Sequence, residues 1–207
     1  PTYFAADIAY HRNKFVKRGF DLCIDIWGAD HHGHVARMKG AMEALGLDSS
    51  KLDVILMQLV RLTQNGEVVR MSKRTGKAIQ LGDLLDEVPV EDSQNPVYYV
   101  QYARARICSI LKALAADGIT PYPCTDEELR LLTAPAELEL IRHLSAYTSE
   151  IIEAAKDYDP ARITRYVITL ATLFHKFYDA RLTLCIATST VICNVLNMFK
   201  ISTPESM

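Results

Sequence analysis

The 207-residue chain contains no apolar run long enough to cross a membrane, and its first residues show no signal-peptide pattern. None of its five cysteines forms a C-x-x-C pair. An odd number of scattered cysteines indicates buried thiols in a reducing compartment. We therefore predict a cytoplasmic protein. Hydrophobic residues make up 49% of the sequence, which suffices for the core of one large or two small domains.

The sequence also lacks an excess of positive charge, because its formal net charge is −2. A nucleic-acid-binding protein of this composition must use local basic patches. Two helical segments predicted from the second half of the chain offer such patches, although solvated helix faces are the alternative. The candidate RNA-binding residues are Arg104, Arg106 and Lys112 on one segment and Arg162 and Arg165 on the other.

Residues 69–79, V-R-M-S-K-R-T-G-K-A-I, are the most informative stretch. The Asn65-Gly66 dipeptide just before them predicts a tight hairpin, because both of its residues readily adopt φ > 0. The following loop carries several cations, and Ser72 supplies a hydroxyl. Such a loop suits the polyphosphate of ATP, with Met71, Ser72 and Lys73 as candidate catalytic residues. A solvated basic loop is the alternative.

A second candidate site lies upstream, where the apolar segment 21–27 predicts a short strand that runs into Gly28-Ala29-Asp30-His31-His32-Gly33-His34. Val35, Met38, Met42 and Leu45 then follow at helical spacing, and Gly46 predicts the end of that helix. Ligands of open α/β sheets bind beyond the carboxyl ends of strands, near helix N-termini. Gly28, Asp30 and His34 are therefore candidate nucleotide-binding residues. We expect Asp30 and His34 to share one helix face.

The histidines of this segment also allow metal binding as an alternative. Adjacent histidines point in different directions on a helix, and no cysteine pair lies near them in the sequence. We therefore predict no metal site there.

The first helix carries Tyr3 and Asp7, which are four residues apart and face the same side. A buried carboxylate beside an aromatic ring suits a planar cation such as a guanidinium, held by a charge-assisted hydrogen bond and by stacking. An ordinary amphipathic helix is the alternative.

Four segments resemble bacterial arginyl-tRNA synthetases, in the same order along the chain. They are P-T-Y-F-A-A-D-I-A-Y-H with W-G-A-D-H-H-G-H-V, then M-S-K-R-T-G-K-A-I, then N-P-V-Y-Y-V-Q-Y-A-R-A-R-I. The M-S-K core is similar to the K-M-S-K-S signature of class I synthetases, with Arg70 and Arg74 replacing its first and last residues. His31 to His34 also fit the other signature of that class, H-x-G-H, but only 38 positions separate His34 from Ser72. That signature lies much farther from the lysine loop, so we expect it to precede residue 1.

The resemblance implies an α/β half of a class I Rossmann-like nucleotide fold, followed by an all-α bundle that binds the anticodon. It implies ligation of arginine to its tRNA through an arginyl-adenylate, with ATP and Mg²⁺, and with tRNA bound before activation. Tyr3, Asp7 and Asp30 would contact arginine; Gly28, Asp30, His34, Met71 and Lys73 would contact ATP. We further expect a monomer that needs the preceding part of its own polypeptide for activity.

From Asn95 onward the pattern is helical throughout, with Asn95 as cap and Pro96 as the first helical residue. We therefore predict one domain over residues 1–94 and a helical domain over 95–207. Residues 159–199 contain no glycine, and their only proline is Pro160 at the start, which is long for one globular helix. We suspect that residues are missing near 179–182 and near 88–95.

Two other functions fit the same sequence. One is a different class I ligase or nucleotidyl transferase, which would not require the carboxylate of Asp7. The other is a non-catalytic tRNA-binding or scaffold fragment that uses the bundle alone.

Overall fold

The computed structural model describes residues 2–58, 60, 63–64, 67–68, 95–120, 122, 124–176 and 182–207. The chain forms two compact units, residues 1–78 and residues 79–207. The predicted boundary at residue 95 stays a prediction, because residues 69–94 lie outside the described ones. No described helix is both long enough and apolar enough to span a bilayer.

The first unit is built from helices α1 and α2 and two short sheets. Its elements in chain order are α1 (Tyr3–Arg12), which continues as a π-helical turn (Asn13–Lys17), β1 (Cys23–Gly28), α2 (His32–Ala44), β2 (Leu52–Met57), β3 (Thr63–Gln64) and β4 (Glu67–Val68). Short 3₁₀ turns at Ala29–His31 and Ser49–Lys51 precede α2 and β2. Strands β1 and β2 pair in parallel, from Cys23 opposite Leu52 to Gly28 opposite Met57.

The core of this unit lies on one face of the β1–β2 pair, where helices α1 and α2 cover the sheet. Cys23, Met38, Met42 and Leu52 are buried, and Phe4, Ile8, Phe15, Trp27, Leu47 and Val54 pack partly against them. Alternation along β1 places Ile24 and Ile26 on the other face, where they are exposed. Parallel sheets are normally covered on both faces. The β1–β2 sheet departs from this rule on the face of Ile24 and Ile26.

Helix α2 confirms the predicted helix and its stop. Met38 and Met42 are its buried residues, and Gly46 adopts φ +70° directly after the C-cap residue Leu45. The amide of Leu47 donates to the Met42 carbonyl and that of Gly46 to the Glu43 carbonyl. This pair of hydrogen bonds is the Schellman motif, which needs a residue in the left-handed region. A glycine adopts that conformation without steric cost.

The predicted hairpin is also present. Thr63 pairs with Val68 and Gln64 with Glu67 in antiparallel register, and residues 65 and 66 between them lie outside the described residues. The adjoining residues 69–94 carry the M-S-K segment and lie outside the described residues.

The second unit contains six described helices. They are α3 (Pro96–Ala116), α4 (Asp126–Leu129), α5 (Pro135–Ser145), α6 (Tyr147–Asp157), α7 (Pro160–Lys176) and α8 (Leu182–Met198). Their core is centred on α7, whose buried residues Ile163, Val167, Leu170 and Phe174 recur at helical spacing. Helices α3, α5 and α8 contribute Ile107, Leu140 and Ile192 among others. The prediction of an α/β part followed by an all-α part is confirmed.

Local capping explains where several of these helices begin. The Asn95 side chain accepts a hydrogen bond from the Val97 amide at 2.9 Å, and Pro96 follows at the first helical position. Thr125 and Glu128 form a capping box at the start of α4, as the T-D-E-E sequence there indicates. The apolar residues Leu138, Ile141, Leu144, Ile151 and Ile152 suggest one continuous helix, but the chain divides at Ala146 into α5 and α6. Residues 159–199, which are long for one globular helix, contain two described helices, α7 and α8.

Substitution of Leu170 by alanine tests the described core. Leu170 is fully buried, so truncation removes apolar contacts and leaves a cavity. We expect a loss of about 2 to 5 kcal/mol in the free energy of unfolding, measured by urea denaturation. The matched control Leu131→Ala removes an exposed leucine and should cost less than about 0.5 kcal/mol. Equal effects of the two substitutions would contradict this core.

Candidate functional site

The junction between β1 and α2 forms the first part of the candidate site. Strand β1 ends at Gly28, the turn Ala29–His31 follows, and α2 begins at His32 without a side-chain cap. The first amides of a helix have no partner within that helix. Asp30, His31 and His32 are exposed there, so a polar ligand has access to this end of α2.

Gly28 has a backbone conformation that any residue can adopt. A glycine is needed here because a side chain would take up space that another group occupies. A Cβ atom at this position would collide with the carboxylate of Asp30. Any larger residue would therefore move the Asp30 side chain away from the end of β1.

Asp30 and His34 do not share one helix face as we predicted. Asp30 lies in the 3₁₀ turn before α2, where its carboxylate is 3.7 Å from Nε2 of His31. His34 lies in the first turn of α2, and its ring is 5.6 Å from that of His31. The reason is that the helix begins two residues later than an uninterrupted helical pattern would require. His31 thus lies between the two predicted ligand contacts.

The N-terminal ends of α1 and α2 meet at this junction. The rings of Phe4 and His34 are 6.1 Å apart, and Phe4 and Ile8 point toward the core. Tyr3 precedes Phe4, so the structure brings the predicted arginine-binding helix next to the predicted nucleotide-binding turn. Sequence spacing alone did not establish this proximity.

Tyr3 and Asp7 lie on the solvent side of α1. The Tyr3 side chain is 95% exposed, and Asp7 is exposed as well. The buried carboxylate that we predicted is therefore not found, because the core of this unit lies on the adjacent side of the helix. Both side chains are accessible to a ligand.

The carboxyl end of β2 lies beside that of β1, since Met57 pairs with Gly28. The chain continues from Met57 toward the β3–β4 hairpin, which precedes the M-S-K segment. The predicted catalytic residues Met71, Ser72 and Lys73 lie outside the described residues. Their assignment stays a prediction.

A largely buried polar cluster, which the sequence analysis did not identify, connects the α1 segment to β1. It consists of His11, Lys14 and Asp25. Nδ1 of His11 lies 2.7 Å from the carbonyl oxygen of Asp7, and Nε2 lies 2.6 Å from the Asp25 carboxylate. The ammonium of Lys14 donates to the other oxygen of Asp25 at 2.7 Å. The only feature of the sequence that could have indicated this cluster is the presence of polar residues at inward positions of a helix and of an apolar strand.

Opposing effects act on the ionisation of Asp25. Burial would raise the pKa of its carboxyl, but hydrogen bonds from Lys14 and His11 outweigh burial and lower that pKa below its ordinary value. Asp25 is therefore a carboxylate at neutral pH.

The helical unit contains a second candidate site, a cavity of about 300 Å³ between α5, α6 and α7. His143 and Tyr166 stack there, with ring centres 4.3 Å apart and planes 11° apart. The Tyr166 hydroxyl donates to the His143 carbonyl at 2.9 Å. Burial, followed by the nearby Tyr147 and Glu150, raises the pKa of Tyr166 and keeps this donor protonated. The remaining lining residues are Glu150, Arg162, Arg165 and Thr169.

Two predicted RNA-binding residues, Arg162 and Arg165, line this cavity. Nε of Arg162 donates to Glu150 at 2.6 Å, and a terminal nitrogen of Arg165 donates to Asp159 at 2.9 Å. Sequence reasoning identified these arginines but missed the aromatic pair His143–Tyr166. That pair forms only because α5 and α7 pack together.

The other predicted RNA-binding residues have a different environment. Arg104 donates to the carbonyls of Thr203 and Pro204 and to the sulfur of Cys193. The ammonium of Lys112 pairs with Glu205 at 3.2 Å. Both side chains thus hold the segment after α8 against α3. Arg106 lies close enough to His175 to lower the pKa of that imidazole, after the larger effect of burial.

Comparison with known proteins shows what the helical unit is. Residues 100–207, more than half of the chain, match the DALR anticodon binding domain. This match begins within α3 and includes every later helix described above.

Curated relatives match the whole chain. An arginine–tRNA ligase from Caldanaerobacter subterraneus subsp. tengcongensis is 49% identical, and the aligned region covers 100% of this chain and 44% of that protein. One from Ruminiclostridium cellulolyticum is also 49% identical and is covered over 43% of its length. The chain therefore spans less than half the length of these relatives. The first alignment extends over 245 positions, 38 more than the chain has residues.

Solved structures agree with this result. An arginyl-tRNA synthetase from Campylobacter jejuni superposes with a TM-score of 0.74 at 30% identity, over 100% of this chain and 52% of that one. The arginyl-tRNA synthetase of Thermus thermophilus shares the fold, with a TM-score of 0.73 at 18% identity and 49% of its chain covered. This protein therefore belongs to the DALR anticodon binding domain family through residues 100–207, and over its full length it is similar to arginine–tRNA ligases.

Proposed function

We propose that this chain is the part of an arginine–tRNA ligase that binds the arginine side chain, the ATP phosphates and the anticodon region of tRNA. The observation that carries the proposal is the meeting of α1 and α2 beyond the carboxyl end of β1, with Phe4 and His34 6.1 Å apart. Parallel α/β sheets bind their ligands at that edge. The similarity of the whole chain to arginine–tRNA ligases supports the choice of substrate.

Tyr3 and Asp7 are the proposed contacts of the arginine side chain. Both are exposed on the same side of α1, so a guanidinium could stack on the phenol ring while the carboxylate accepts its hydrogen bonds. Bound arginine would cover this surface. Asp30 lies at the neighbouring turn and is 81% exposed, which suits a contact to the amino acid or to the ribose of ATP.

ATP would lie across the start of α2, with Mg²⁺ on its phosphates as a companion of the substrate. The free amides of the first helical turn favour anionic groups. Gly28 leaves room for the Asp30 carboxylate beside the end of β1, and His34 offers a ring nitrogen. Met71, Ser72 and above all Lys73 would reach the phosphates from the loop after the hairpin.

The reaction has two steps. The carboxylate of arginine attacks the α-phosphorus of ATP, the bond to the β-phosphate breaks, and pyrophosphate leaves while arginyl-adenylate forms. A ribose hydroxyl at the end of tRNA then attacks the arginyl carbonyl and releases AMP. In the first step Lys73 would stabilise the charge that develops on pyrophosphate.

The cavity between α5, α6 and α7 is the proposed contact for anticodon nucleotides. Its stacked His143–Tyr166 pair offers an aromatic surface for a base, and Arg162 and Arg165 offer positive charge for a phosphate. Exposed ion pairs such as Arg165 with Asp159 contribute at most about 1 kcal/mol, so an RNA phosphate could replace the carboxylate.

We propose that the active protein is a cytoplasmic monomer that also contains a preceding polypeptide segment with the H-x-G-H signature. Some of the 38 additional alignment positions would fall near residues 88–95 and 179–182. ATP–pyrophosphate exchange by the longer protein tests the whole proposal. Exchange that depends on arginine and tRNA is the expected result, and exchange with another amino acid would contradict the arginine assignment. A complete lack of exchange with retained tRNA binding would favour the tRNA-binding fragment instead.

Asp7→Asn in the longer protein tests the substrate contact. The substitution keeps the shape of the side chain and removes the charge that would pair with the guanidinium. We expect a rise in arginine KM equivalent to about 2 kcal/mol or more, with weaker discrimination against an uncharged analogue. The matched control Asp21→Asn changes an exposed aspartate outside the site and should leave KM unchanged. An unaltered KM in Asp7→Asn would remove the contact.

Lys73→Ala tests the phosphate loop. Because the lysine charge acts mainly on the leaving pyrophosphate, adenylate formation should slow by about 10² to 10³, as for other oxyanion contacts. Arginine KM should change little. Lys51→Ala, which removes an exposed lysine of the same unit, is the control. Pre-steady-state adenylate formation measures the rate, and equal rates in both variants would contradict a catalytic loop.

Arg165→Ala tests the cavity of the helical unit. If Arg165 contacts a phosphate, tRNA binding should weaken, and the slope of log K against log salt should fall by about 1. Arg130→Ala removes an exposed arginine elsewhere in the same unit and serves as control. Filter binding at several salt concentrations gives both slopes. A slope in Arg165→Ala equal to that of the parent protein would exclude this contact.

A further inference from the structure

We propose that His11, Lys14 and Asp25 act as positioning residues, with His11 as an imidazolium whose two N–H groups hold the arginine-binding turn of α1 at a fixed place on β1. This inference rests on the proposed function, because it assigns the cluster to the binding of arginine. None of its three side chains is placed in contact with a substrate.

The two hydrogen-bond partners of His11 favour a ring with a proton on each nitrogen. Its Nδ1 faces a backbone carbonyl oxygen at 2.7 Å, and its Nε2 faces a carboxylate oxygen at 2.6 Å. Both of these groups only accept hydrogen bonds. A neutral imidazole carries one N–H and could satisfy only one of them. Because the Asp25 carboxyl is ionised and already accepts from Lys14, both protons belong to the ring of His11.

The position of the cluster connects it to the candidate site. The carbonyl that faces His11 belongs to Asp7, the proposed partner of the guanidinium. At the other end, Asp25 lies on β1 three residues before Gly28, where the nucleotide-binding turn begins. A single side chain thus links the backbone of the arginine contact to the strand that presents the ATP contact.

Packing alone does not require charges at this place. Phe4, Ile8 and Phe15 already attach the same helical segment to the core through apolar contacts. Buried ion pairs add little stability compared with well-packed apolar residues. Directional hydrogen bonds at both ring nitrogens instead fix the rotation and the height of α1 on the strand. Misplacement of a binding group by about 1 Å is enough to weaken catalysis strongly.

The surroundings favour one arrangement of these charges. His11 is only 4% exposed, and Tyr10 contacts its ring edge to face with centres 6.3 Å apart. The Lys14 ammonium lies over the Tyr10 ring at 4.7 Å. Among the described residues, the carboxylate of Asp25 is the one anion that the structure places against both cations.

The test uses the longer enzyme and compares His11→Gln and Lys14→Met with the parent. Glutamine cannot donate to both acceptors, and methionine removes the second cation. We expect arginine KM to rise about tenfold in each variant, equivalent to about 1.4 kcal/mol, while the KM for ATP stays near that of the parent. Lys14→Arg keeps the charge and should restore much of the arginine affinity. Arg12→Ala, an exposed neighbour of His11, is the control that should behave like the parent.

Two further measurements separate positioning from stability. Thermal unfolding shows whether each variant is folded at the assay temperature. If His11→Gln is unfolded there, Lys14→Met alone provides the comparison with the parent. In the parent, ¹⁵N NMR of the His11 ring should show both nitrogens protonated at neutral pH. Variants with lowered melting temperatures but unchanged arginine KM would overturn the inference, as would a neutral His11 ring.

The outcomes also separate this inference from the proposed function. A parent enzyme that does not exchange with arginine contradicts the proposed function, and the inference fails with it. A parent that exchanges with arginine, together with variants of unchanged arginine KM, contradicts the positioning role alone.

Discussion

The parallel pairing of β1 with β2 is the constraint on which the rest of the first unit depends. Because Gly28 lies opposite Met57, both strands deliver their carboxyl ends to one edge of the sheet. The turn before α2 leaves from the first strand, and the chain toward the β3–β4 hairpin leaves from the second. Segments that are far apart in the sequence therefore approach one place. The register is set by the buried pair Cys23 and Leu52, since a one-residue slip would expose it to water.

The position of α1 follows from a different balance. Its apolar residues contact the core, while Tyr3 and Asp7, the proposed arginine contacts, face solvent on the adjacent side. Apolar packing is weakly directional, so it holds the helix on the sheet without fixing its rotation closely. In the proposed arrangement the hydrogen bonds of Asp25 with His11 and Lys14 supply direction, because hydrogen bonds weaken steeply as their geometry departs from the optimum. Stability and precision thus come from different residues of the same helix.

The second unit separates its tasks in a similar way. A continuous apolar core around Leu170 and Phe174 holds the bundle. The cavity at the His143–Tyr166 pair opens between α5, α6 and α7. Arg104, which looked like an exposed basic residue in the sequence, instead fixes the segment after α8 through backbone carbonyls. A basic residue on a helix therefore has a binding role only if its neighbours leave its charge accessible.

The sequence by itself determined the local features, because they depend on few neighbouring residues. The Asn95 cap, the capping box at Thr125, the stop at Gly46 and the Asn65-Gly66 hairpin all follow from backbone preferences and short-range hydrogen bonds. The order of an α/β part and an all-α part followed from the change of hydrophobic period. Tertiary structure decided what meets across the chain: Phe4 with His34, His11 with Asp25, and His143 with Tyr166. Tertiary structure also decided burial: it left Asp7 exposed and bound Arg104 to the carbonyls of the segment after α8. Burial depends on distant elements that local patterns do not specify.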